Sequence, residues 1–363
     1  MPFFGSLPAL ALGALALVAF PPYLVARLES IPAPGERIEL AGDSVAIYDL
    51  AGTVTLVAGG GATVTVDVQR GGSEAGRLRL ETGPVRGVPA LRVVYPSDLI
   101  RYARLGRHSQ TTLGVRDDGT FDDRRGDDGG GRMRRVRISG DAGLDAHADL
   151  RIAVPAGKGV ALHLAVGEVT ARNVDGRLEL GTASANVTTT GTRGRLRVDV
   201  GSGDVRASDV QGDLSIDTGS GRVAVANVRG GAVLSIDTGS GDVEVTGASA
   251  PAVNIDTGSG DVSLTGLATD QLKLDTGSGS TTIELASDIR DLDVDTGSGD
   301  VTVHAPAGLS ARVHFDAGSG DIDSDFPITA ARRDGSEIDG TIGDGRGRMS
   351  VETGSGDIRL VRR

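Results

Sequence analysis

The sequence predicts an all-β protein built on a parallel β-solenoid (β-helix), and three observations predict it. The stretch LSIDTGSGDV (Leu234 to Val243) recurs about every 19 residues. On both sides of its glycines, apolar and polar residues alternate, the pattern of a strand with one buried face. The composition, with 56 glycines, no tryptophan, no cysteine and 3% aromatic residues, suits a narrow core of Val, Ile, Leu and Ala better than a bulky sandwich.

The chain opens on an uncharged run, Phe3 to Ala26, before its first charge at Arg27. The run is long enough to cross a bilayer, but Pro8 and the Pro21-Pro22 pair leave Ala9 to Phe20 as an apolar core of signal-peptide length. Residues 1–28 are therefore expected to be a signal peptide or a membrane anchor, with a buried core helix as the bland alternative. Either of the first two exports the remainder to the periplasm or cell surface, with membrane contact only through this segment.

Residues 29–148 carry further strand patterns, among them SVAIYDL, TVTVDV and LRVVY, expected to pair with or cap the N-terminal end of the solenoid. Within that region Arg101 to Asp141 is dense in glycine and in both signs of charge. Its part from about 104 to 132 is expected to be a mobile loop.

The solenoid is expected over 149–363. The first motif glycine falls at Gly201, Gly219, Gly239, Gly258, Gly277, Gly297, Gly318 and Gly354, and two degenerate copies place Ala165 and Ala183 in that column. About ten coils of ~19 residues follow from this spacing. The inward column reads Ile216, Ile236, Ile255, Leu274, Val294, Phe315 and Val351 in chain order. The corner glycines, represented by Gly239, Gly241, Gly258, Gly260, Gly297 and Gly299, are assigned to a tight turn needing positive φ. The 36-residue gap before the last copy marks an excursion, about 324–349, in which Phe326 and Ile328 are expected to cap the C-terminal end.

The net charge of −12 argues against a nucleic-acid partner, since a phosphate-binding surface needs clustered Lys and Arg, and none is expected. Without cysteine there is no disulfide, thiolate metal site or thiol nucleophile. Asp-Thr-Gly-Ser is the reading of an aspartic-protease loop, but here it occurs at Asp217, Asp237, Asp256, Asp275 and Asp295, one coil apart each time. Stacked coils make these a ladder, whereas that protease needs two facing carboxylates sharing a proton.

With the acids after the turn, the coils present two aspartate columns. Unit charges about 5 Å apart repel by ~0.8 kcal/mol even in water. Calcium held between coils, at Asp237, Asp242, Asp256, Asp261, Asp295 and Asp300, is one way to offset this. The other is that each Asp accepts backbone N–H groups of its own turn. Asp117, Asp118, Asp122, Asp123, Asp127 and Asp128 lack EF-hand spacing and read as a solvated charge run. The five histidines show no metal-ligand spacing, although His304 and His314 are candidates for near neighbours. A polysaccharide-acting β-helix enzyme needs a cleft walled by long loops and sugar-stacking aromatics. The corners here are short, and beyond the N-terminal segment the aromatics are Tyr48, Tyr95, Tyr102, Phe121, Phe315 and Phe326, so no enzyme is expected.

The copies LSIDTGSGDVEV and NIDTGSGDVSL, with the closing GTIGDGRGRMSVETGSGDIRLVRR, resemble a bacterial β-strand-repeat family of proposed adhesins, related in style to the head domains of autotransporter adhesins. The resemblance covers about Asp149 to Arg363 and implies an exported β-solenoid without established activity. The expected function is thus non-enzymatic: an envelope adhesin or scaffold presenting a repetitive acidic surface to an envelope protein or glycan. A calcium-binding surface module is the alternative.

Overall fold

The computed structural model describes residues 35–121 and 133–363; the expected signal or anchor at 1–28, and Asp122, Asp123, Asp127 and Asp128, lie outside them. The described chain is all-β apart from two short 3-10 turns. Among the described residues, no helix is long and apolar enough to cross a membrane.

The repeats stack as parallel strands in register, giving a β-solenoid-like core. Before each corner, Leu178, Leu196, Leu214, Leu234, Val253, Leu272 and Leu292 pair in succession. Two residues on, Val198, Ile216, Ile236, Ile255, Leu274 and Val294 do the same. After the corner, Val205, Val223, Val243, Val262, Thr281 and Val301 form the facing column. All are buried. Each large aliphatic side chain so removed from water contributes ~1.5–3 kcal/mol, which is how a chain poor in aromatics holds together.

The last copy departs from chain order. Gly347–Thr353 pairs with Asp291–Thr296 on one side and with Ala311–Asp316 on the other. Ile358–Arg362 likewise lies between Val301–Ala305 and Ile322–Ser324. Val351 therefore stacks between Val294 and Phe315, rather than after Phe315 as the chain-order column expects. The Phe315 coil is the terminal one, and its corner differs: Gly318 sits at φ +57, whereas the first glycine of the regular corners is not in the left-handed region. The final copy has a regular corner, with Gly356 at φ +152, and inserts where two like neighbours receive it.

Both ends finish in antiparallel pairing. Glu337–Ile342 covers the edge of Ala311–Asp316 and pairs in turn with Thr329–Asp334. Phe326 is buried and Ile328 packs against the core. At the other end Ser44–Gly59 runs parallel to Lys158–Arg172, the first degenerate coil. Beyond it, His147–Pro155 pairs antiparallel with Val64–Gly71, which pairs with Glu36–Leu40. These pairings give the exposed edges partners, removing the hazard of open parallel sheets.

The expected mobile loop, about 104–132, needs correction in its part up to residue 121, while 122–132 lies outside the described residues. Gln110–Arg116 is a strand, paired antiparallel with Met133–Ser139 in a separate four-stranded sheet with Leu99–Arg101 and Leu144–Asp145. Val115, Val136 and Ile138 are buried, and Arg135 and Arg137 face outward between them. The alternation of arginine with Val and Ile is a strand signal hidden inside a charge-rich stretch.

Candidate functional site

The corner explains the repeat. In the Asp237–Val243 copy, strand alternation turns Ile236 and Thr238 inward and Asp237 outward, and Val243 resumes the core after the turn. The second glycine of each corner, such as Gly241 (φ +131), Gly260 (φ +128) and Gly299 (φ +131), takes a conformation side-chain-bearing residues avoid. The first glycine, as in Gly239, Gly258 and Gly297, is not at positive φ, which corrects the expectation for those three. It is glycine because a Cβ at Gly239 would lie 2.7 Å from the Gly219 carbonyl oxygen of the coil below, and at Gly297 2.6 Å from that of Gly277. Close stacking, and not turn geometry, excludes a side chain there.

Sequence reasoning missed the buried threonines. Thr218, Thr238, Thr257, Thr276 and Thr296 are each 1% exposed, and each donates its hydroxyl to the serine carbonyl two residues on, at 3.3–3.4 Å. Those carbonyls also accept a backbone N–H from the coil below, as Gly241 N–H donates to Ser259 O at 2.9 Å. The threonine thus satisfies its polar atom within an apolar core. Its regular place beside the motif Asp was the available signal.

The two aspartate columns have different characters. Before the corner, Asp199, Asp217, Asp237, Asp256, Asp275, Asp295, Glu352 and Asp316 follow one another in strand register on the outer face. With Ser235, Asn254 and Lys273, the central carboxylates line a shallow groove of about 290 Å³. Burial, then the flanking Asp217 and Asp256, push the Asp237 carboxyl above its ordinary range.

After the corner, each side chain reaches the neighbouring coil. Asp242 Oδ1 accepts the Asp261 N–H at 3.3 Å and Asp261 Oδ1 the Ser280 N–H at 2.9 Å. Asp300 Oδ1 accepts the Asp357 N–H at 3.0 Å, and Asp357 Oδ1 accepts that of Asp321 at 3.1 Å. These acceptors bind the coils to one another and not, as the turn reading expects, to their own corner. Arginines answer the charge: Arg222 pairs with Asp242 at 2.9 Å and Arg359 with Asp357 at 2.6 Å. Asp237, Asp256 and Asp295 therefore stand in the outer column, and Asp242, Asp261 and Asp300 in the inter-coil one.

Among the described residues, the group whose ligand-type atoms all lie within 4.8 Å of one another is a different one: His314, Glu337 and Asp339, in the terminal hairpin. His314 Nδ1 lies 2.8 Å from Asp339 Oδ1 and its Nε2 3.8 Å from Glu352. Strand pairing of Ala311–Asp316 with Glu337–Ile342 assembles it, so no spacing in the sequence announces it. His304 is elsewhere, opposite Glu284 and Val361, and is not the neighbour of His314. His163 stacks on Tyr48, ring centroids 4.5 Å apart and 5° from parallel. Asp118, at the edge of the acidic run, is tied by Thr120 and lies 3.7 Å from Arg92.

One buried acid lies at the N-terminal end of the stack. Asp49 is fully buried, and Tyr95 Oη lies 2.7 Å from its Oδ1 and 3.0 Å from the Ala51 carbonyl. Burial is the main cause that raises the Asp49 pKa to about 8. The Tyr95 hydroxyl donates to Asp49 Oδ1, which partly offsets the effect of burial, and reaches the Ala51 carbonyl as well.

Parallel coils with glycine corners, buried threonines and outward acids define a β-solenoid-like repeat protein. The chain belongs to the Toastrack DUF4097 family, whose model matches residues 146–245 and 188–361. A solved structure from Clostridium sporogenes ATCC 15579, of a protein whose given name proposes cell adhesion, aligns over 90% of this chain and 98% of its own, at 7% identity and a TM-score of 0.19. No curated protein matches the chain.

Proposed function

We propose that the protein is a non-enzymatic, exported component of the bacterial cell envelope, an adhesin or scaffold that presents a repetitive acidic face. The observation that carries this reading is the outer column from Asp199 to Asp316, a continuous line of carboxylates on short, uniform coils. Such a line attracts a cationic or cation-bridged partner in the envelope, protein or glycan, in a salt-dependent way. The uncharged run Phe3 to Ala26 and the resemblance to proposed adhesins support export. Fractionation of bacteria expressing the full chain tests it: recovery with the envelope or periplasm is expected, and recovery in the cytosol overturns it.

The in-register stacking of Asp217, Asp237 and Asp256, carboxylate over carboxylate, favours a second reading, in which calcium relieves repulsion along the column. Calorimetric titration of the full chain with Ca²⁺ tests this: saturable binding lost in Asp237→Asn/Asp256→Asn supports it, and no heat at millimolar Ca²⁺ removes it.

A further inference from the structure

Where the separate four-stranded sheet meets the solenoid corners, a cleft of about 270 Å³ opens between the turn Ala103–Leu105 and the first coils. It belongs to neither aspartate column. Tyr102, Arg104, Glu168, Ser184, Asn186 and Ser202 line it.

Tyr102 is 3% exposed, and its hydroxyl is buried without a hydrogen-bond partner. An orphan buried hydroxyl forfeits its water hydrogen bonds, at a cost of about 1–3 kcal/mol, so a ligand that supplies a partner recovers this. Burial pushes the phenol pKa up, the Arg104 guanidinium opposes the shift, and Asp149 and then Glu168 add to it. Arg104 nonetheless makes no hydrogen bond of ordinary geometry to that oxygen. Nor do Arg104 and Glu168 pair with each other: among the described residues the ion pairs of this region are Arg101 with Asp145 and His108 with Asp141.

The lining specifies the ligand chemistry. A simple anion meets Glu168, and a simple cation meets Arg104. The remaining groups suit hydroxyls: Asn186 uses its carbonyl oxygen on the Asp204 N–H at 2.9 Å, leaving its NH₂ to donate. Ser202 points its proton weakly at Ala183 O, 3.5 Å away, leaving its lone pairs to accept. Arg104 and Glu168 each offer a forked pair of polar atoms, a fit to neighbouring hydroxyls on a ring. The volume lies below that of drug-sized pockets and suits one ring.

We propose that this cleft binds a single neutral pyranose unit of a surface glycan. The inference rests on the envelope reading only for where the glycan comes from. Saturation-transfer NMR and calorimetry of the purified full chain with glucose, galactose and N-acetylglucosamine test it. Saturable binding of at least one sugar is expected, weakened about tenfold in Tyr102→Phe, the loss of one hydrogen bond. That variant should melt no lower than the wild type, since it deletes an unpartnered polar atom; Glu168→Gln, which keeps the side chain's shape, should also weaken binding. Absence of saturable binding to all three sugars overturns the proposal. So does unchanged affinity in Tyr102→Phe, or full displacement of the sugar by free glycine. Cytosolic recovery of the protein would remove the envelope reading and leave sugar binding by the purified chain measurable. A failed sugar titration removes the cleft's role alone.

Discussion

At the scale of single residues, the corner glycines differ in what they tolerate. Gly260 holds φ +128 and its missing Cβ faces the Gly241 carbonyl of the coil below, so Gly260→Ala meets both strain and overlap. Gly258→Ala meets only the overlap, with Gly239 O at 2.5 Å. Denaturant unfolding should show losses of about 1–3 kcal/mol for Gly258→Ala and more for Gly260→Ala. Asp49 gives a pH signature. Its folded pKa of about 8 lies above the ordinary 3.8, so between these values the folded state holds a proton that the unfolded state has released. Its contribution is therefore fully present below about 3.8, is lost as the pH rises towards 8, and is constant above. Thermal melts across that window should show the wild type losing stability relative to Asp49→Asn, and a parallel profile for the two would contradict the assignment.

At the scale of elements, the insertion of the last copy gives a sharp test, made easy by the absence of native cysteine. Asp293 stands opposite Ser350, whereas His314 lies one rung further, about 10 Å away at the usual strand spacing. Asp293→Cys/Ser350→Cys should oxidise to an intramolecular disulfide, and Asp293→Cys/His314→Cys should not, because its Cα atoms are beyond bridging distance. Mass spectrometry of the oxidised proteins reads the difference. The parallel coils were legible because identical corners recur with identical alternation, from Ile216 to Val294. The order of the final coils was not, since Val351 matches the column wherever it is placed; only the hairpin between Thr329 and Ile342, which occupies the edge of the Phe315 coil, fixes it. The strand Gln110–Arg116 was concealed by the charges around Leu113 and Val115. The His314, Glu337 and Asp339 group and the Tyr102 cleft join segments distant in sequence, so periodicity carried no trace of them.

At the scale of the whole molecule, the repeat turns a local corner into a surface. Each coil adds one outward acid at about the strand spacing, and repulsion between successive charges accumulates along the column. Added salt should therefore raise the melting temperature of the wild type more than that of Asp237→Asn/Asp256→Asn/Asp275→Asn, since screening relieves what the variant lacks. The inter-coil acceptors Asp242, Asp261 and Asp300 hold backbone N–H groups, so their replacement by alanine should destabilise the stack rather than alter its partners. The same separation frames the measurement that bears most directly on the proposed acidic face: retention of the purified full chain on isolated bacterial envelopes, for the wild type and the triple Asp→Asn variant, at low and high salt. The account predicts retention of the wild type at low salt, lost at high salt and lost in the variant. Equal retention of both proteins, unaffected by salt, would contradict it.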